Sequence, residues 1–391
     1  MRCRNTMKIG IISEFKINTV NYGNNLQAYA LNKYLRNAFP DYVIETIFFK
    51  DDKRENYART SYFALLKIKI GRIWWRIKGK KSCATILDRE LVKERLIRFH
   101  SFQNTNIRLS QNPFTWKDLL ISDYDMFIVG SDVVWHQRRA FIDKIKFLDF
   151  DNTKKAVKVA YAASFGQNII PFENINAIRR TLKSFRAISV RERSAVGLLN
   201  SIGVENVVHT VDPTLLLSIQ EWSQIESVPR CFDIDKPYIF TYLLSADQNQ
   251  QNIVNHIGKK TGLPVVYIPY ASGEKRIEKD SFDNLRVDDC SPEEWLWLIH
   301  HARLVITDSF HGVVFSTIFK KNFLALKRTY INDINIRITD YLQQIHQEDK
   351  IINCDTYSDF DSLTWNYRLI ESKLEKDIAF SKIFLSKVMT R

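Results

Sequence analysis

An alternation of short apolar runs with amphipathic stretches constrains the fold of this chain more than any other feature. The runs end abruptly in small or charged residues, as KIGIIS (8–13) and RLVIT (303–307) illustrate. Short apolar runs bounded by turn residues predict buried strands, and the amphipathic stretches between them predict crossover helices. The alternation therefore predicts an α/β protein with parallel sheets.

The length of the chain and a break in the alternation predict two domains. The chain has 391 residues, and one domain holds roughly 100–200 residues. The alternation stops between Leu217 and Pro237 and then begins again. We predict a first domain over residues 1–220, with a basic helical insertion at about 50–118. We predict a second domain over residues 236–391, whose terminal helix packs back on the first.

Composition and cysteine spacing exclude several classes of protein. Hydrophobic residues make up 45% of the chain, which suffices for folded cores and excludes disorder as the main state. No apolar stretch reaches the roughly 18 residues of a membrane-spanning helix, and the apolar segment IGII is too short for a signal peptide. The five cysteines lie singly, without the paired spacing of a zinc site. We therefore expect a cytoplasmic protein with reduced thiols and no metal.

The charge is strongly positive and partly concentrated in one segment. The chain has 57 basic and 44 acidic residues, and its net charge of +13 favours an anionic partner. Residues 64–81 hold seven Lys or Arg and no acid, and apolar positions recur there at helical spacing: Leu66, Ile70, Ile73, Trp74 and Ile77. This pattern predicts an interfacial helix on an anionic membrane surface or, alternatively, a surface helix packed on the domain. Nucleic acid is not expected, because no recognised binding motif accompanies the charge.

Small and polar residues follow the predicted strands, and ligands of parallel α/β sheets bind beyond the carboxyl ends of strands. Six such segments occur in this order: NYGNNLQAYAL (21–31), FIVGSDVVW (127–135), YAASFG (161–166), ISVRE (188–192), VDPTLLLS (211–218) and ITDSFHG (306–312). Together they resemble the polysaccharide pyruvyl transferase family, and the resemblance runs from about residue 8 to about residue 345.

The resemblance implies a fold like that of GT-B glycosyltransferases, with two Rossmann-like domains facing a cleft. It also implies transfer of a pyruvyl group from phosphoenolpyruvate to two hydroxyls of a hexose, which forms a cyclic ketal without a cofactor. We expect this reaction in capsular or exopolysaccharide synthesis. The expected acceptor is a sugar, and a lipid-linked sugar is one candidate. One alternative is a GT-B glycosyltransferase that uses a nucleotide sugar. A third is a non-catalytic protein that binds membranes or polyanions through its basic face.

The segment DSFHG is the predicted donor site, because it lies between a strand and a helix. Backbone N–H groups at a helix N-terminus bind anions such as the donor phosphate. Asp308 or Ser309 is the expected cap, and Gly312 lets a ligand approach closely. His311 is the candidate general acid, which would protonate C3 of the enol pyruvate, or an anion-binding imidazolium. The alternative for His311 is a purely structural helix cap.

Two arginines are further candidates for binding the donor. Arg191 ends a predicted strand, and its planar fork matches a carboxylate or a phosphate. The alternative for Arg191 is a surface pair with Glu192. A basic residue at the place of Arg337 is usual in the family, and it could complete a phosphate clamp. Lys327 and Arg328 compete for that role.

The turn after FIVG is a predicted acceptor and base site. Gly130 permits close backbone approach, Ser131 can donate a hydrogen bond, and Asp132 can accept one from a sugar hydroxyl or act as a base. The alternative is an ordinary tight turn with Asp132 as a helix cap. Asp212, which precedes Pro213, is expected mainly to fix a turn between domains.

Three neutral amides near the end of the first strand complete the acceptor prediction. Asn24, Asn25 and Gln27 suit sugar hydroxyls, because amides both donate and accept hydrogen bonds. The alternative for Asn25 is the N-cap of the helix that follows, which the 3.6-residue period predicts from about Asn25 to Ala38.

Overall fold

The computed structural model describes most of the chain. The described residues are 6–17, 19–50, 89–137, 142–230, 236–245, 247–269, 285–328, 335–353 and 362–390. The basic segment 64–81 lies outside them, so its contact with a membrane stays a prediction. Among the described helices, none is long and apolar enough to cross a bilayer.

The first half of the chain builds a six-stranded parallel sheet in the order β2-β1-β3-β4-β5-β6. Its strands are β1 (Lys8–Ile12), β2 (Val43–Thr46), β3 (Met126–Val129), β4 (Val157–Ala163), β5 (Ala187–Val190) and β6 (Val207–His209). Its helices are α1 (Tyr22–Ala38), α2 (Arg89–Asn106), α3 (Trp116–Leu120), α4 (Phe172–Leu182), α5 (Arg193–Ser201), a 3-10 turn (Pro213–Leu216) and α6 (Ile219–Ser223). β3 is buried along its whole length, as expected for a sheet covered on both faces.

The second half builds another six-stranded parallel sheet, in the order β12-β11-β10-β7-β8-β9. Its strands are β7 (Ile239–Tyr242), β8 (Val265–Tyr267), β9 (Leu285–Arg286), β10 (Leu304–Thr307), β11 (Phe323–Leu326) and β12 (Ile351–Ile352). Its helices are α7 (Gln248–Thr261), α8 (Pro292–His301), α9 (Phe310–Ile318), α10 (Ile336–Gln344), a 3-10 turn (Glu348–Lys350) and α11 (Tyr367–Met389). This confirms the predicted α/β class with two Rossmann-like units.

Each sheet reverses its strand order at one point. In the first sheet β2 and β3 lie on opposite sides of β1, and in the second sheet β8 and β10 lie on opposite sides of β7. Loops beyond the carboxyl ends of such strands diverge and leave a crevice. The segments after β1, β3 and β10 therefore lie where the sequence predicted a site.

An aromatic core joins the two halves beside this crevice. Tyr22, in the first turn of α1, stacks on Trp295 of α8 with ring centroids 5.4 Å apart. Its hydroxyl donates to the carbonyl of Cys290 at 2.9 Å. Both rings are almost fully buried, and they belong to one core cluster that includes residues of both sheets. The halves thus share a core in addition to facing a cleft.

Helix α11 runs from the second half back over the first. The amide of Val211 donates to Ser381 Oγ at 3.0 Å, and the hydroxyl of Tyr42 donates to the carbonyl of Met389 at 3.4 Å. Phe384 lies 6.3 Å from Tyr161, centroid to centroid. The last described helix therefore covers part of the first sheet.

The start of α1 differs from its prediction. The helix begins at Tyr22, and its N-cap is Asn21, whose side chain accepts from the amide of Asn24. Asn25 is therefore inside the helix and is not its cap. The apolar period predicted a later start because Gly23, Asn24 and Asn25 carry no apolar signal. The end of the helix at Ala38 agrees with the prediction.

Candidate functional site

The turn after β3 is tightly constrained by its neighbour β4. Gly130 has φ +140°, and a Cβ there would lie 1.8 Å from the carbonyl oxygen of Tyr161, so only glycine fits. The following residues turn inward: Ser131 and Asp132 are both buried. Ser131 Oγ lies 3.1 Å from the carbonyl of Ala162 and 3.2 Å from Asp212 Oδ2. The turn thus delivers a hydroxyl and a carboxylate into the cleft.

Arg191, directly after β5, connects the carboxylates of the first half. Its Nη1 donates to Asp212 Oδ2 at 3.0 Å and to Asp132 Oδ1 at 3.4 Å. Its Nε donates to Glu192 Oε1 at 3.0 Å, and its Nη2 donates to Ser164 Oγ at 3.1 Å. The guanidinium carbon lies 4.1 Å from the ring centroid of Phe310, in cation–π geometry. The Arg191–Glu192 contact exists, but it is buried and is not a surface pair.

Asp212 has two functions in the structure, one local and one in the cleft. Its Oδ1 accepts from the amide and hydroxyl of Thr214 at 3.0 and 2.8 Å and so caps the 3-10 turn. Its Oδ2 faces Arg191, Ser131 and, at 3.6 Å, Nε2 of His311. The sequence predicted the turn, and the structure adds the second contact.

His311 enters the cleft from the second half. It lies in the first turn of α9, and its imidazole packs on Gly23 of α1, where an added Cβ would lie 2.0 Å from Nδ1. Its Nε2 is buried and has no hydrogen-bond partner among the described residues. Asp212 Oδ2 is the acidic atom it faces. The imidazole is therefore held between the halves with one ring nitrogen directed into the cluster.

The remaining residues of DSFHG organise the loop and the helix start. Ser309 is the N-cap of α9, and its hydroxyl accepts from the amide of Gly312 at 3.4 Å. A Cβ on Gly312 would lie 2.6 Å from Thr307 Oγ1, so packing alone requires glycine there. Asp308 accepts from the amides of Leu244 and Ser245 at 2.6 and 2.8 Å. Contact of Ser309 or Gly312 with a donor stays a prediction.

Arg337 reaches the same cluster from α10. Its Nη1 donates to Asp132 Oδ1 at 3.2 Å, and the side chain is buried. Its competitors are placed elsewhere. Arg328 is buried against Asp308, with its Nε donating to the Asp308 carbonyl at 3.1 Å, and Lys327 is exposed. Of the three basic residues considered, Arg337 is thus the one that joins Arg191 and Asp132.

Burial and charge set the ionisation of the cluster. Burial raises the pKa of Asp132, but Arg191, His311 and Arg337 outweigh it and hold the pKa below its usual value. Burial also raises the pKa of Asp212, but the charges of His311 and Arg191 outweigh it and hold this pKa well below its usual value. Burial lowers the pKa of Arg337 to about 10. Both aspartates are therefore carboxylates at neutral pH.

Glu192 differs from the two aspartates. Burial raises its pKa above the usual value, and Arg191 and Ser164 offset this only in part. Its Oε1 accepts from Ser164 Oγ at 2.7 Å, and its buried Oε2 has no hydrogen-bond partner among the described residues. The sequence predicted Glu192 only as the partner of Arg191 in an ion pair.

The three predicted amides support the loops around the cleft. Gln27 accepts from the amide of Ser131 at 3.3 Å and donates to the carbonyl of Asn24 at 2.9 Å. Asn25 accepts from Gln103 Nε2 at 2.7 Å and is fully buried. Asn24 donates to the carbonyl of Glu14. These bonds fix the ends of β1 and β3 to α1, and contact with an acceptor stays a prediction.

A small pocket opens beside the cluster. It lies between β5 and α5 of the first half and α10 of the second. The residues that line it are Arg191, Glu192, Val211, Asp212, Leu215, Phe310, Arg337, Asp340, Tyr341 and Gln344. The sequence singled out Arg191, Asp212 and Arg337 of these. The amphipathic period of α10 could have indicated the three further residues that this helix contributes, Asp340, Tyr341 and Gln344.

One group of side chains in the described part of the chain has the composition of a metal site. It consists of Glu226, His300 and His301, whose ligand atoms lie within 4.8 Å of one another. His300 Nδ1 is 2.9 Å from a carboxylate oxygen of Glu226. Burial lowers the pKa of the nearby Lys321, while the charge of Glu226 raises it and that of Arg303 lowers it. We interpret the group as an ion pair outside the cleft, since nearby cations oppose a metal ion.

The fold and the site define a class of protein: a two-sheet α/β protein of GT-B-like architecture with a buried, charged site between its halves. The chain belongs to the polysaccharide pyruvyl transferase family, whose model matches residues 21–330. The matched range contains the turn after β3, Arg191, Asp212 and His311, while Arg337 lies beyond it. No curated protein matches the sequence.

Several solved structures are similar to this chain at low identity. The Staphylococcus aureus MnaA–UDP structure has 13% identity and a TM-score of 0.47, and the match covers 95% of this chain and 91% of that one. The UDP-GlcNAc 2-epimerase of Methanocaldococcus jannaschii has 11% identity and a TM-score of 0.48, with 94% and 92% covered. Acinetobacter baumannii MurG has 10% identity and a TM-score of 0.41, with 95% of each chain covered.

Proposed function

We propose that the protein transfers a pyruvyl group from phosphoenolpyruvate to two hydroxyls of a hexose, which forms a cyclic ketal in capsular or exopolysaccharide synthesis. The observation that carries the proposal is the placement of His311, from the second half, against the buried Arg191–Asp132–Asp212 cluster of the first. Family membership supports the pyruvyl group, and the cluster supplies groups suited to its anionic donor and its hydroxyl acceptor.

Arg337 and the start of α9 would bind the anionic donor. Arg337 lines the pocket, and both Arg337 and Arg191 donate to Asp132. Two guanidinium groups therefore converge on the same side of the pocket. Arg191 uses most of its five N–H groups on protein acceptors, so we assign its share of donor binding mainly to its charge. The first N–H groups of α9 and its dipole add a further positive element.

His311 would act as the general acid. In its imidazolium form it would give a proton to C3 of the enol pyruvate, which leaves an oxocarbenium-like centre at C2. One acceptor hydroxyl then bonds to C2, the C2–O bond to phosphate breaks, and the second hydroxyl closes the ring. Of the two hydroxyl protons, one leaves with phosphate and one returns to His311. Asp132 would relay a hydroxyl proton to phosphate or His311, since even a weakly basic carboxylate can take a proton from an oxygen that is bonding to a cationic carbon and then pass it on.

The direct test is an assay with the purified full chain. Phosphate release from phosphoenolpyruvate is measured in the presence of galactose-, glucose- and mannose-terminated acceptors. The mass of the product is determined by mass spectrometry. We expect phosphate release that depends on the acceptor and a product that has gained pyruvate less water. Calorimetry that shows tight binding of a nucleotide sugar and none of phosphoenolpyruvate would instead support the glycosyltransferase alternative.

His311→Ala tests the acid. We expect a loss of about 10²–10⁴ in rate, the usual contribution of a general acid or base. Circular dichroism should be unchanged, because the imidazole has no hydrogen bond among the described residues that the fold depends on. His346→Ala is the matched control, since this histidine lies after α10, outside the pocket. Near-normal turnover by His311→Ala would return the residue to a structural role, whereas loss of product formation with the fold intact would exclude the non-catalytic alternative.

A further inference from the structure

The N-terminus of α5 lacks a cap from its own sequence. Its N-cap residue is Glu192, which makes no side-chain capping bond. The carboxylate of Glu192 is engaged by Ser164 and Arg191 instead. The first N–H groups of a helix have no intrahelical acceptor and need one from outside.

The cap comes from the opposite half. Asp340 of α10 accepts from the amide of Arg193 with Oδ1 and from the amide of Ser194 with Oδ2, both at 3.0 Å. These bonds join residues almost 150 positions apart in the sequence. The carboxylate also lies at the positive end of the helix dipole, where negative charge is favoured.

Asp340 and Arg337 lie three positions apart on one helix, so they share a face. That face also carries Tyr341 and Gln344, and all four line the pocket. Arg337 contacts Asp132 in the first half, and Asp340 contacts α5 in the first half. One face of α10 therefore makes two polar contacts across the cleft, one turn apart.

A third helix strengthens this arrangement. Arg193 Nη2 donates to Asp377 of α11 at 2.9 Å, and Gln344 Nε2 donates to the same Asp377 oxygen at 2.7 Å. Asp377 thus ties the start of α5 to the end of α10.

We propose that Asp340 is a positioning residue that clamps the two halves together by capping α5 across the cleft and thereby holds Arg337 at Asp132. The clamp closes one side of the donor pocket. Its kinetic consequence rests on the proposed function, while its structural consequence does not.

Two variant pairs test the clamp in the full chain. Asp340→Ala removes both accepting oxygens of the cap, whereas Asp340→Asn keeps one of the two. Arg193→Pro removes one donor and is tolerated at the first helical position, since Glu192 is already extended (φ −90°, ψ 134°). Arg193→Ala removes only the side chain and is its match. Asp118→Ala, which removes a capping carboxylate of α3 inside the first half, is the general control.

Hydrogen exchange followed by mass spectrometry detects the clamp in the absence of substrate, through the exchange rates of backbone amides. In Asp340→Ala we expect exchange to rise about fivefold or more both at amides 193–196 and at amides 341–344, from the usual effect of losing a cap. Asp340→Asn should lie between wild type and Asp340→Ala, because it keeps one of the two acceptors. Arg193→Pro should exceed Arg193→Ala at 341–344. Asp118→Ala should change neither segment. Faster exchange at 193–196 alone, or equal behaviour of the two Arg193 variants, overturns the clamp.

The kinetic arm uses phosphoenolpyruvate. We expect Asp340→Ala to raise KM for this donor about fivefold with a smaller change in kcat, and Asp340→Asn to raise it less. An unchanged KM in a variant with raised exchange at 341–344 overturns the positioning of Arg337. If wild type does not use phosphoenolpyruvate, the proposed function fails, and the exchange experiment still decides the clamp.

Discussion

At the scale of single residues, Arg191 shows how one side chain joins several strand ends. Its three nitrogens contact Asp132, Asp212, Glu192 and Ser164, which lie after β3, β6, β5 and β4. Its planar fork directs donors to fixed positions, which a lysine ammonium cannot do. The arginine therefore fixes the relative positions of four loops at the edge of the first sheet.

Arg191→Lys should consequently be poorly tolerated. The change keeps the positive charge but loses most of these bonds, so we expect a raised KM for phosphoenolpyruvate and a lower melting temperature. Steady-state kinetics and thermal unfolding measure the two effects. Arg186→Lys, a change at the start of the same strand and outside the pocket, is the control. A KM equal to that of wild type would contradict a role of Arg191 in donor binding.

Asp212 gives a pH-dependent prediction. Its folded pKa lies below the unfolded value of about 3.9, so its charge stabilises the fold above that pH. The stabilisation is lost as the pH falls through the lower, folded pKa. Asp212→Asn should reduce the free energy of unfolding at pH 7 by about 3–5 kcal/mol, because it breaks a buried ion pair.

Denaturant titrations of Asp212→Asn at pH 7 and in steps below pH 4 measure this dependence. The difference from wild type should be full at pH 7 and shrink only below about pH 4. Glu371→Gln, in an exposed pair with Lys320, should differ little from wild type at either pH. A loss in Asp212→Asn that is the same at every pH would show that its charge is not the cause.

At the scale of elements, alanine substitutions at two glycines are expected to have opposite effects on stability. Gly130→Ala places a Cβ 1.8 Å from the Tyr161 carbonyl at a positive φ, so we expect severe destabilisation or failure to fold. Gly197, inside α5, has no heavy atom within 4 Å of an added Cβ. Gly197→Ala should therefore raise the free energy of unfolding by about 0.4–1 kcal/mol. Chemical denaturation measures both, and a neutral Gly130→Ala would contradict the close approach of β4.

Element boundaries and types were largely readable from the sequence, because buried parallel strands and amphipathic helices have strong patterns. β1, β3, β7 and β10 fall inside the predicted apolar runs. β9 and β12 were not predicted, since two-residue strands carry no period. Gly262 is the C-cap of α7 and adopts the left-handed conformation, with φ 67°, as is common for a glycine at the end of a helix.

The site was only partly readable, because its contacts join distant strand ends. Types of residue at strand ends pointed to Asp132, Arg191 and His311, and the family resemblance pointed to Arg337. The structure brings these four together. Nothing local shows that Asp212 faces His311 or that Asp340 caps α5, since both contacts depend on how the halves meet. Asn25 and Gln27 had the right chemistry for sugars, but the fold uses their amides internally.

At the scale of the whole molecule, the net charge of +13 predicts behaviour at membranes. We predict that residues 64–81 bind anionic membrane reversibly, because each Lys or Arg near such a surface contributes about 1 kcal/mol. Attachment should fall with salt, as attraction decays within a Debye length of roughly 8–10 Å. An enzyme on this surface would share it with a lipid-linked acceptor.

Sedimentation with anionic liposomes tests this attachment. Wild type should pellet at low salt, and a variant with Trp74→Ser, Trp75→Ser and three Lys→Glu changes within 64–81 should stay in the supernatant. Neutral liposomes are the control for trapping. Equal pelleting of the two proteins, or none of either, would favour the alternative of a surface helix packed on the domain.

The return of α11 to the first half has a consequence for synthesis on the ribosome. The surface around Tyr161 and Val211 stays uncovered until α11 emerges, about 170 residues after Val211. At about 5–20 residues per second, that interval is on the order of ten to thirty seconds. During it, the nascent chain carries an unfinished apolar surface. Slow translation of the second half should therefore favour capture by chaperones, and fast translation should favour direct folding.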